Sequence, residues 1–122
     1  MKNTARTDVP SGRAISIRQP HVEDILSGGK RYEYRNRLTK IRGRVYLYAS
    51  RKPDPGAESV WKRLKKQPGD LPTGVIVGSV EIVDCKCFGE RDYGYALKNP
   101  RRYRKYLTTE SRPQPLFFFP FN

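Results

Sequence analysis

The chain is poor in the residues that build metal and disulfide sites. Its 122 residues include two cysteines and one histidine. Cys85 and Cys87 are separated by a single residue. On a strand such neighbours share a face, but their Cβ atoms lie too far apart for an ordinary disulfide. With His21 they fall short of a tetrahedral zinc site. The H-x-E and later C-x-x-C of a zinc deaminase are missing as well. No metal and no cofactor is expected, and both thiols read as reduced. Long apolar runs are also absent: none approaches the roughly 18 residues of a spanning helix. The first dozen residues carry charges, Pro10 and Gly12 where a signal peptide would have an apolar centre. A soluble, cytoplasmic protein with no membrane partner is therefore expected.

Acidic residues are the scarce sign of charge. Twelve Asp and Glu stand against 25 Lys and Arg, giving a net charge of +13 and a pI near 10.1. Such an imbalance favours a polyanionic partner without specifying a fold. Nucleic acid is the expected one, ahead of an anionic membrane surface. The hydrophobic share of 36% fits an ordered chain, and the length fits one domain. Residues 1 to 12 read as a flexible leader and 13 to 122 as the domain, expected to act as a monomer.

The pattern along the domain alternates strands with two short helices. Ala14 to Arg18 alternates as a first strand, and Pro20 suits the opening turn of a helix whose apolar face is Val22, Ile25 and Leu26. Gly28 and Gly29 supply the left-handed close. Arg31, Glu33 and Arg35 then alternate with Tyr32 and Tyr34, the period of a strand. Two guanidinium groups and a carboxylate on one face suit the wall of a polar site better than a core. Gly43 to Ser50 reads as a half-buried strand with Val45, Leu47 and Ala49 inward and Tyr46 and Tyr48 outward.

Turn residues at Lys52 to Gly56 precede a basic helix from about Ala57 to Gln67. Val75 to Asp84 is a β-branched central strand, and Gly78 within it predicts a bulge or bend. Cys85 to Phe88 extends it. Tyr93 to Leu97 reads as another strand stopped by Asn99-Pro100, with Arg101 to Lys105 as a basic turn. Leu116 to Phe119 ends the tally, with Phe121 as a plug. The resulting fold class is α+β: a small closed or nearly closed β-barrel of five to six strands with two short helices, closure removing the exposed edges; the alternative is an open mixed sheet with a helix on one face.

Ser16-Ile17-Arg18-Gln19-Pro20, Ile25 to Lys30, and then Glu33 and Arg35 resemble the ASCH domain (activating signal cointegrator-1 homology), a branch of the PUA-like β-barrels. Its G-x-K-x-x-E-x-R signature is matched by Gly28, Lys30, Glu33 and Arg35. The resemblance covers about residues 13 to 121. It implies a barrel with a cleft, the signature residues lining its mouth, and binding of RNA or nucleotides. Some members resemble ribonucleases or amidohydrolases of N4-acylated cytidine. In the latter the motif lysine is catalytic and is followed three residues later by threonine; here Lys30 matches the lysine and Glu33 stands at the threonine position.

For Lys30 to serve as a base at pH 7 it must be largely neutral, and a carboxylate beside it opposes that. Recognition is the expected role: Lys30 as donor, Glu33 as acceptor from a base amino group, Arg35 holding Glu33 or binding phosphate. Arg18, Gln19, Ser50, Arg51 and Lys52 are expected around the same mouth, with Tyr46, Tyr48 and Tyr95 as candidate stacking surfaces. The leading function is a nucleic-acid or nucleotide-binding module that takes a base into a polar cleft. The alternatives are a hydrolase of the same fold, with Lys30 catalytic, and a basic accessory protein of a ribonucleoprotein with no pocket ligand.

Overall fold

A computed structural model describes Pro10 and residues 12 to 121. The expected leader falls on residues outside this set, apart from Pro10 and Gly12. The first strand, β1, spans Ala14–Ile17 and leads through Pro20 into helix α1, His21–Leu26. Gly28 takes φ +88° as the chain leaves the helix, a conformation open to glycine without a Cβ penalty. Strand β2 follows at Tyr32–Arg35, β3 at Gly43–Ala49 and helix α2 at Glu58–Leu64. The helix stops short of Gln67 because Lys65 turns left-handed, at φ 58°. Two long strands make a hairpin, β4 at Val75–Gly89 and β5 at Asp92–Leu107, and β6 is the pair Phe117–Phe118.

These strands form one mixed sheet in the order β2-β5-β4-β3-β1-β6, with β1 and β3 parallel and the other neighbours antiparallel. The expected closed barrel is not what forms. Its two ends, β2 and β6, are not neighbours in the ladder. Both are short, and β6 is flanked by Pro113, Pro115 and Pro120, which have no N–H to donate to a ladder. A side chain crosses the gap instead: Arg35 donates to the Ser16 carbonyl at 2.9 Å.

The sheet bends at irregularities in β4 and β5. The pairing of β3 with β4 slips at Val77, beside Gly78, as the glycine within that strand predicted. A Cβ on Gly78 would lie 2.1 Å from the Arg101 carbonyl oxygen, so β5 passes where a side chain would stand. Asn99-Pro100 does not end β5. Asn99 turns to φ 53°, and the register shifts from Glu81↔Lys98 to Ser79↔Arg101, one extra residue on β5. The proline, which cannot donate, sits in this bulge, and Arg101 to Lys105 belongs to the strand rather than to a turn.

The period-2 reading of β3 holds. Val45, Leu47 and Ala49 pack with Ile15, Ile17, Val22, Ile25, Val80, Ile82, Tyr95 and Leu97 in the main core. Tyr46 and Tyr48 face the other way, into a smaller cluster with Ala14, Ile76 and Phe118. Phe121 meets Tyr46 edge-on with ring centroids 5.4 Å apart.

Candidate functional site

A cleft of about 630 Å³ opens between β1 and β2. Ser16, Ile17 and Arg18 form one wall, Glu33 and Arg35 another, and Ser50, Arg51 and Lys52, just past β3, the rim. Pro115 and Leu116 close the side towards β6. A smaller hollow of about 410 Å³ shares Ser16, Ser50, Arg51 and Pro115 with it and adds Tyr48, Arg112 and Gln114. The two make one trough with basic residues along its edge.

Glu33 sits at the floor, its side chain 9% exposed. Alternation along β2 turns Glu33 and Arg35 to the same face. Arg35 Nε donates to Glu33 Oε2 at 2.8 Å while its terminal nitrogen holds Ser16. Lys30 Nζ is 3.7 Å from Oε1, too long for a hydrogen bond but close enough for an ion pair. A carboxylate offers about four lone-pair directions. Arg35 occupies one, so Glu33 keeps acceptor capacity for a donor that enters the cleft. Lys30 also lies over the Tyr34 ring, 5.3 Å from its centroid. Carboxylate and ring face both suit a cation, hence a donor.

The remaining residues expected at the mouth do different work. Arg18 is exposed, and two of its nitrogens hold the carbonyls of Lys52 and Pro53 at 2.9 and 2.6 Å, fixing the rim loop. Gln19 is buried: its amide donates to the Pro72 carbonyl and accepts from the Glu23 N–H, both at 3.0 Å. Tyr48 borders the smaller hollow but is 2% exposed and packs edge-on against Phe118. Tyr46 lies against Tyr103 and Phe121, and burial raises its phenol above the ordinary value. Tyr95 is wholly buried, donates its hydroxyl to the Arg37 carbonyl at 2.8 Å, and is likewise raised chiefly by burial. The structure thus gathers Arg18, Glu33, Arg35, Ser50, Arg51 and Lys52 and leaves Tyr46 and Tyr95 away from the cleft.

Other cleft residues were not singled out by the sequence. His21 lines the cleft and its Nε2 lies 3.0 Å from Asp54 Oδ2. That hydrogen bond, helped by the Gly56 N–H, holds the Asp54 carboxyl below its usual range despite some burial. The Asx turn is legible in Asp54-Pro55-Gly56; the pairing with a histidine 33 positions away is not. Ser16 was legible, since it alternates with Ile15 and Ile17. Arg112 and Gln114 carry no pattern that would have marked them. Among the described residues no group of three or more His, Cys, Asp or Glu side chains is placed to hold a metal, and no helix is long and apolar enough to cross a membrane.

Fold and cleft together define a small α+β domain with a basic, polar trough at an open side of its sheet. The model of the ASCH domain matches residues 15–112, and the chain belongs to that family. Activating signal cointegrator 1 of Homo sapiens is 31% identical over 83 residues, 61% of this chain and 14% of that protein. Its Mus musculus counterpart is 30% identical over 83 residues, with the same shares. The match thus spans only a small part of these relatives. The six-stranded sheet with two helices is consistent with a PUA-like fold in general.

Proposed function

We propose that this ASCH domain binds single-stranded nucleic acid, RNA in preference to DNA, and takes one base into the cleft between β1 and β2. The observation that carries the reading is Glu33, a nearly buried carboxylate with acceptor capacity left over at the floor of a basic trough. A phosphate is repelled there; the amino group of a base is the matching donor. Phosphates belong at the rim, on Arg51, Lys52 and Arg112. The hydroxyls of Ser16 and Ser50 offer partners for a ribose 2′-OH, which favours RNA. One chain supplies the whole trough, so a monomer suffices, and the free thiols of Cys85 and Cys87 fit a reducing cytoplasm.

The test is binding of a labelled single-stranded RNA to wild type and Glu33→Ala over a salt series. Losing a charged acceptor should weaken binding by about 10- to 150-fold, from 1.5–3 kcal/mol for a hydrogen bond to a charged group. The salt slope, set by the number of phosphates neutralised, should hold. A basic protein without a pocket ligand predicts the reverse, because the substitution adds one to a net charge of +13: equal or tighter binding refutes the cleft. An ASCH-type hydrolase is the second reading. The His21–Asp54 pair opening on the same cleft as Ser50 favours it, and shortened RNA at the end of the titration would establish it.

A further inference from the structure

The outer face of β2 carries a second feature that the cleft does not use. Where Glu33 and Arg35 turn inward, Tyr32 and Tyr34 turn outward and meet Phe88 from β4. Tyr32 and Tyr34 stack with centroids 5.9 Å apart, and Phe88 lies 5.9 Å from Tyr32 and 6.1 Å from Tyr34. Gly94 of β5 is opposite Tyr34 in β2 and opposite Lys86 in β4, and so lies beneath the cluster. A Cβ there would come within 2.5 Å of Phe88 and 3.0 Å of Tyr32. The missing side chain is what lets both rings settle on the strand.

Such a cluster ordinarily ends up in a core. Here Tyr34 is 54% and Phe88 52% exposed. Cations flank it: Lys86 Nζ stands 5.7 Å from the Tyr32 centroid and Lys30 Nζ 5.3 Å from that of Tyr34. Asp84 is the acid near Lys86, and its Oδ1 is taken up by the Cys85 N–H. A hollow of about 520 Å³ continues from Tyr32 over apolar Ile25, Val80 and Leu97, with Lys30, Arg31 and Lys98 along it. Flat aromatic surface, interleaved ammonium groups and a neighbouring hollow bordered by cations match the chemistry of an unpaired nucleotide chain. A purely apolar partner would take the Lys86 ammonium out of water with only Asp84 near it.

We propose that Tyr34 and Phe88 form a stacking platform for bases of a single-stranded nucleic acid, with Arg31, Lys86 and Lys98 taking its phosphates. The platform deepens the proposed function and rests on it. Lys30 belongs to both sites, because β2 is an edge strand with the cleft on one face and the platform on the other. A chain crossing that edge can place one base at Glu33 and stack its neighbours outside.

The experiment uses the full chain, a labelled 12-nucleotide single-stranded RNA and an abasic strand of the same length. Tyr34→Ala and Phe88→Ala should each weaken binding of the RNA by about five- to 150-fold, the range for removing a stacking aromatic. Binding of the abasic strand should be unchanged, and Tyr34→Phe should retain wild-type affinity for the RNA. Both positions are half exposed, and the abasic strand reports folding independently. If both alanine variants bind both strands as wild type does, the platform is refuted, and a loss in Glu33→Ala then leaves the cleft standing. If wild type binds neither strand, both readings fall.

Discussion

Gln19 offers the sharpest separation between a residue that reads a ligand and one that shapes the site. Its sequence neighbours put it at the mouth, yet its side chain is 1% exposed and both ends of the amide are engaged within the protein. One end ties down the Pro72 carbonyl and the other takes the Glu23 N–H at the start of α1. Its own carbonyl accepts the Asp54 N–H at 2.7 Å, which fixes the loop carrying the partner of His21. Gln19→Ala keeps that backbone bond and removes the two side-chain bonds. It strands a carbonyl and an N–H, each costing about 1–3 kcal/mol unless water enters the vacated space. A net loss on the order of 3 kcal/mol follows. With a urea m-value of about 2 kcal/mol/M, the midpoint should fall by about 1.5 M. Gln19→Met fills nearly the same volume without either bond, and should recover only the packing part of the loss. RNA affinity of the folded variant, measured without denaturant, should stay within about threefold of wild type. A midpoint shift below about 0.3 M together with a tenfold loss of affinity would refute the reasoning and make Gln19 a ligand contact.

Two further outcomes follow from the geometry. Gly78→Ala drives a Cβ to 2.1 Å from the Arg101 carbonyl oxygen; β5 must shift, at about 1–3 kcal/mol or more. A calorimetric Tm lower by roughly 10 °C is expected, whereas Gly89→Ala, whose nearest neighbour is Asp92 Cβ at 3.9 Å, should change little; equal Tm values would disprove the close approach. The depressed Asp54 carboxyl contributes stability that is present above its unfolded value of 3.8 and lost as pH falls through the lower folded value. Urea midpoints of wild type should therefore drop more steeply below about pH 4 than those of Asp54→Asn, and parallel curves would mean that the His21 hydrogen bond carries no linkage.

What the sequence made legible was local. Alternation along Tyr32 to Arg35 separates the two faces of β2 by its period alone. The same rule splits β3 into a core side and a tyrosine side. Where reading failed, a tertiary contact outweighed a local signal. Asn99-Pro100 has the chemistry of a strand stop, but a left-handed Asn99 lets β5 absorb the pair as a bulge and run on to Leu107. Tyr95 reads as a candidate stacking surface because it is an aromatic on a strand near the expected mouth. Its register, between Glu33 of β2 and Cys85 of β4, takes it into the core instead. Phe88 and Tyr34 show the converse, aromatic residues left outside: Phe88 where the β4–β5 hairpin continues beyond the core, and Tyr34 on the outer face of β2 beside it.

The open sheet and the site are two aspects of one arrangement. Had β2 continued the ladder round to β1 or β6, the inward face of Tyr32–Arg35 would have become barrel interior. Glu33 would then be an acid in a closed core, with no space for a ligand and a large desolvation penalty. The short β2, the proline-flanked β6 and the residue pattern of β2 all act against closure. Arg35 occupies the breach, with one arm on the Ser16 carbonyl and the other on Glu33. It ties β2 to β1 across the opening while leaving the trough accessible. The charges on one face of a short edge strand, which make it a poor core strand, are therefore what hold the cleft open.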